Sequence, residues 1–252
     1  RMTTRYDEAD AFSGLLAIVH ETGHALYNAG LPKDWRHQPV GKPRSFGVHE
    51  SQSLLVEMQV CRSREFLAFL APLLTDTFGV DGAAFSVENL YRQAIRVERS
   101  LIRVDADEVT YPLHIVLRYR LETAMLAGDL AVGDLPGAWS EGMRELLGIE
   151  PPDDRSGVLQ DIHWPSGAIG YFPCYTLGAI MAAQLSAALL EAEPDISAQI
   201  AKGDFSQLLA WLRANIHEQG SRYDTQELLT RQTGRPLELQ PFLDHLEARY
   251  LA

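Results

Sequence analysis

Cysteine is scarce in this chain: Cys61 and Cys174 are the only two in 252 residues, and they form no Cys-x-x-Cys pair. That excludes a disulfide framework and favours a reducing compartment. Basic residues are also in short supply, with 22 Lys plus Arg against 34 Asp plus Glu, a formal charge of −12 and no basic run. Nucleic acid is therefore not an expected partner. The first residues lack the charged, apolar, small-residue succession of a secretory signal. No long apolar run reads as a membrane span either. Ile162 to Leu190 carries no Asp, Glu, Lys or Arg, but His163, Trp164, Pro165, Pro173 and two tyrosines interrupt its first half. Only Thr176 to Leu190 reads as helix, too short to cross a bilayer, and the expectation is a buried helix preceded by a loop. Internal repeats, low-complexity tracts and an obvious linker are missing as well, and residues 1–252 are expected to form one catalytic domain.

What is present is helical periodicity from end to end. Patterns lie near residues 10–28, 51–72, 87–98, 110–126, 136–147, 176–191, 206–218, 224–232 and 239–250, so the fold class is mainly α. Two short segments rich in branched and aromatic residues, Leu101 to Val104 and Val109 to Tyr111, flank an acidic turn and predict a small β-hairpin near the site.

The sharpest local signal is His20-Glu21-Thr22-Gly23-His24. Residues four apart on a helix share a face, so His20 and His24 can offer two imidazole nitrogens to one metal ion. Phe12, Leu15, Leu16, Val19 and Leu26 supply the helical spacing, Asp7 or Asp10 can cap the start, and Gly30 followed by Pro32 supplies the stop. Glu21 then sits beside the metal, placed to take a proton from an attacking water as in zinc peptidases. A catalytic zinc site needs a third protein ligand. Glu50 is the first choice, because it opens a helical pattern that follows a turn-rich loop and is expected to run antiparallel to the first. His49 and Glu57 compete for the role.

Four blocks follow one another in order: His20-Glu21-Thr22-Gly23-His24, then His49-Glu50-Ser51-Gln52-Ser53, then Ile102-Arg103-Val104-Asp105-Ala106-Asp107-Glu108, then Gly157-Val158-Leu159-Gln160-Asp161-Ile162-His163-Trp164. This succession resembles the M32 metallocarboxypeptidases, the carboxypeptidase Taq type. The resemblance covers the C-terminal half of such a protein. Arg1-Met2-Thr3 matches the tail of the family's Asp-x-Arg-x-Thr block, which implies a substrate-binding role for Arg1. Leu54 departs from the pattern, where many relatives carry Arg. The resemblance implies a helical, neurolysin-like zinc-peptidase fold and a cytoplasmic homodimer. It also implies zinc or cobalt on His20, His24 and Glu50, and removal of single residues from peptides with a free C-terminus.

Further roles complete the expectation. His163, Tyr171 and Tyr175 lie in a Gly/Pro-punctuated loop before a helix, and His163 and Tyr175 are the candidates to stabilise a developing oxyanion. Arg103 is the candidate for the substrate's terminal carboxylate, which a guanidinium suits, and the neighbouring acids are candidates to orient ligand histidines. His217 is expected to be a surface or packing residue. Competing functions are a zinc endopeptidase or dipeptidase, and a half-length metal-binding module without turnover.

Overall fold

A computed structural model of the chain describes residues 2–4, 10–79 and 82–251. In chain order the helices are α1 (Ala11–Gly30), α2 (Phe46–Leu54), α3 (Arg64–Phe78), α4 (Val87–Ala94), α5 (Tyr111–Ala127), α6 (Leu135–Leu147), α7 (Pro173–Ala192), α8 (Ile196–Ile200), α9 (Ser206–Asn215), α10 (Thr225–Thr233) and α11 (Gln240–Tyr250). The chain divides into two compact units, the first made of Arg1–Ile95 with Leu177–Ala252 and the second of Arg96–Thr176.

In the first unit, Leu16, Val48, Leu55, Leu67, Leu185, Leu212 and Leu228 belong to one apolar core. The α1 helix starts where its sequence says it should, with the Asp10 carboxylate accepting from the Ser13 amide at 3.0 Å. Gly23, midway along it, is required by packing. A Cβ there would lie 2.5 Å from the Gln52 carbonyl oxygen and 2.6 Å from the Ser53 Cα, so only glycine lets the α1 and α2 backbones come this close. That approach carries Glu50 to the histidines of α1.

The pattern at 51–72 is not one helix. The α2 helix passes into a π-helical turn, Leu55–Val60, closed by the Cys61 amide on the Val56 carbonyl at 2.9 Å. A new helix, α3, then begins with Ser63 as its cap, accepting from the Phe66 amide at 3.1 Å. Apolar spacing carries through the break because both sides face the same core.

The α7 helix is longer than the sequence predicts and reaches the length and apolarity of a membrane span. Length therefore does not argue against a span, but packing does: Met181, Ala182, Leu185 and Leu189 are part of the first unit's core. Its one buried amide, Gln184, donates to the Pro236 carbonyl at 2.9 Å and accepts from the Glu238 amide at 3.0 Å.

The second unit packs Leu117 and Leu121 of α5 against Leu135, Trp139, Met143 and Leu147 of α6. It holds no β-hairpin. Arg103–Asp105 is a 3₁₀ turn and Val109 and Thr110 turn directly into α5; no strand occurs among the described residues. The reason is Asp107, whose carboxylate accepts from the amides of Val109 and Thr110, each at 2.9 Å, and so closes the segment into a helix entry.

Candidate metal centre

In the first unit, α1 and α2 bring three donors together. His20 Nε2 lies 4.0 Å from Glu50 Oε1, and His24 Nε2 lies 3.5 Å from Glu50 Oε2. All three donor atoms fall within 4.8 Å of one another. Donors held about 2.1 Å from a tetrahedral ion sit about 3.4 Å apart, so a small contraction fits these groups to a divalent metal. Two imidazoles and one carboxylate make the donor set of a catalytic rather than a closed structural site, because one position stays open.

The far nitrogens of both rings are already spoken for. His20 Nδ1 is 2.9 Å from Glu57 Oε2, and His24 Nδ1 is 3.1 Å from the His49 carbonyl and 2.6 Å from His49 Nδ1. A proton on each Nδ1 satisfies these contacts and leaves each Nε2 lone pair for the Glu50 side. Burial, with the charge of His20 and His49 nearby, pushes His24 down to about 4, so it stays neutral. For His20 burial also pulls downward, but the Glu57 hydrogen bond and the charges of Glu57, Glu50 and Glu21 outweigh it and the net shift is upward. The charge of Glu21 acts on both His20 and His49, which sets its carboxylate beside the donor group without belonging to it. His49 is outside the donor set too: its ring packs on Tyr27 with centroids 5.2 Å apart.

Two supports had no local signal in the sequence. Gly178 of α7 leaves room for the ligand chain, since a Cβ there would lie 2.8 Å from both Cβ and Cγ of Glu50. His217 is a packing residue, 1% exposed, with Nε2 3.0 Å from Gln52 Oε1.

The second unit gathers the other expected residues. His163 Nε2 is 2.9 Å from the Tyr175 hydroxyl, and the Tyr171 ring lies 5.4 Å from His163 and 5.5 Å from Tyr175. Arg103 is buried and its guanidinium is not free. Nε and Nη2 donate to Asp161 and Nη1 donates to the Tyr111 hydroxyl. Of the turn acids, Asp107 caps the entry to α5. Asp161 also accepts from Arg118 Nε at 2.6 Å, and the two arginines hold its carboxyl below the usual range against the upward pull of burial. Arg118 and Glu122 went unnoticed in the sequence, though with His114 they form a buried polar row spaced by four along α5. Glu122 fixes the loop before α7, accepting from Trp164 Nε1 and the Gly170 amide, each at 2.7 Å. Arg1 lies outside the described residues.

Across residues 1–250 the sequence matches the family profile described as carboxypeptidase Taq (M32) metallopeptidase. The chain belongs to this family. It is 46% identical over 253 residues to thermostable carboxypeptidase 1 of Thermus thermophilus, covering 100% of this chain and 49% of the relative. It is 36% identical over 250 residues to carboxypeptidase 1 of Bacillus subtilis, covering 99% of this chain and 50% of the relative. Among solved structures it resembles Trypanosoma cruzi metallocarboxypeptidase 1, with a TM-score of 0.96 and 44% identity over 100% of this chain and 53% of that one. The M32 carboxypeptidase from Deinococcus radiodurans R1 gives a TM-score of 0.95 and 45% identity over 99% of this chain and 50% of that one. This M32 chain thus spans about half the length of the relatives it matches.

Proposed function

We propose that this chain carries the metal centre of a metallocarboxypeptidase that removes single residues from free peptide C-termini. The observation that carries the reading is the convergence of His20 Nε2, His24 Nε2 and the Glu50 carboxylate, with both Nδ1 positions held from behind. When bound there, zinc, or cobalt in its place, supplies a Lewis acid that polarises a carbonyl and acidifies water. Glu21 takes the proton of the attacking water and returns it to the leaving amine. Glu50 and the two histidines hold their geometry. Kinship with the neurolysin-type helical peptidases, a homodimeric assembly and a cytoplasmic location belong to the same proposal.

The alternative reading is a metal-binding module without turnover. One experiment separates the two. Zinc-loaded protein is incubated with an N-acetylated peptide and followed by mass spectrometry, and the expected result is stepwise shortening that stops when the C-terminus is amidated. Internal cleavage of the amidated peptide would instead indicate an endopeptidase, and no cleavage by zinc-bound protein would favour the module.

A further inference from the structure

The π-helical turn after α2 has a use. Glu57 lies within it, seven residues after Glu50 on the same continuous helix, and its side chain is only 12% exposed. One carboxylate oxygen faces His20 Nδ1 at 2.9 Å and the other accepts from Arg62 Nη2 at 2.9 Å. Arg62 Nη1 in turn donates to the Ala94 carbonyl at 2.8 Å, tying the group to the end of α4.

Glu57 and Arg62 are five residues apart. On an α-helix, with about 100° per residue, that spacing puts two side chains about 140° apart around the axis. In a π turn, closed by i→i+5 bonds, residues five apart come back to nearly the same side. Glu57 sits inside the π segment Leu55–Val60 and Arg62 two residues beyond its last residue, so the ion pair closes over the end of that segment.

Resting on the metal-centre reading above, we propose that Glu57 is a positioning residue. Clamped by Arg62 across the π turn, it fixes the ring and the tautomer of His20 so that Nε2 presents its lone pair to the metal. Among the described residues, the other histidine has no comparable side-chain carboxylate at its Nδ1, which faces the carbonyl and ring of His49. The centre is thus held asymmetrically, and the His20 arm is the one that a single acidic side chain controls.

The test uses the full chain with Zn²⁺ and Co²⁺ as probes, comparing wild type, Glu57→Gln, Arg62→Met and the double variant. Zn²⁺ affinity is read by competition with a chromophoric chelator, the ligand field by the visible spectrum of the Co²⁺ form, and folding by circular dichroism of the metal-free protein. Glu57→Gln keeps the shape of the side chain and is expected to bind Zn²⁺ about 10–100-fold more weakly, with an altered Co²⁺ spectrum. Arg62→Met should weaken binding in the same direction by less, and the double variant should lose less than the sum, because both act through one contact. Should Glu57→Gln not fold, the Arg62→Met loss and spectral change carry the test alone. Wild-type affinity and an unchanged spectrum in both single variants would overturn the proposal and leave Glu57 as a mere partner of Arg62. Loss of stoichiometric binding in Glu57→Gln, as for a missing ligand, would overturn it in the other direction. A wild-type chain that binds neither ion would instead remove the metal centre itself.

Discussion

Glu21→Gln is expected to retain its metal and lose roughly 10²–10⁴-fold in peptide hydrolysis, the range that a positioned general base contributes. Gln has the size and shape of Glu but cannot take a proton at neutral pH. The three donors are His20, His24 and Glu50, so the substitution removes no ligand. It does remove a negative charge that acts on His20 and His49, and a modest change in metal affinity is compatible with that. Metal content and kcat/KM measured on the same zinc-loaded preparation check the assignment. Loss of metal from Glu21→Gln would show that Glu21 holds the ion, and hydrolysis within about threefold of wild type would show that another group is the base, because a positioned base contributes far more.

Asp161→Ala is expected to cost the second unit about 3–5 kcal/mol, the usual penalty for leaving a buried charge unpaired. The Arg118 side chain is 0% exposed and that of Arg103 is 6% exposed, and both guanidinium groups converge on this one carboxylate. Without it, two buried cations lose the one anion to which both donate. Chemical denaturation followed through the tryptophans reports the loss, since Trp139 and Trp164 both lie in the second unit's core. The exposed ion pair between Arg231 and Glu227, at 2.8 Å, supplies the control, because solvent screening should leave the midpoint of Glu227→Ala nearly unmoved. A loss below about 1 kcal/mol for Asp161→Ala would mean that water or another anion replaces the carboxylate.

The histidine pair of the candidate metal site was legible because its geometry is local. His20 and His24 are one helical turn apart, and the apolar spacing of α1 alone fixes which face they share. Glu50 was legible for a weaker reason, the expectation that a second helix returns after a turn-rich loop, and Gly23 shows how the return comes close enough. Glu57 stood as a competing ligand because seven residues make two α-helical turns. It faces the back of His20 instead, and apolar spacing does not reveal the π turn that holds it there.

The second unit was harder to read because its polar residues are paired over long separations. Arg103 was read as the partner of a substrate carboxylate, and the carboxylate it pairs with in the fold, Asp161, lies 58 residues further along. The branched residues of Leu101 to Val104 suggested a strand, and the Asx geometry of Asp107 overrode that preference. Arg118 and Glu122 did leave a trace, since charged residues spaced by four on an otherwise apolar helix face must find buried partners.

The central claim is that His20, His24 and Glu50 hold one divalent ion, and the most direct measurement is zinc content after equilibrium dialysis of the wild-type chain and Glu50→Ala. The account predicts one equivalent of zinc per wild-type chain and far less than one in Glu50→Ala at the same free zinc concentration. Equal zinc in the two proteins would contradict it, and would move the third ligand away from Glu50.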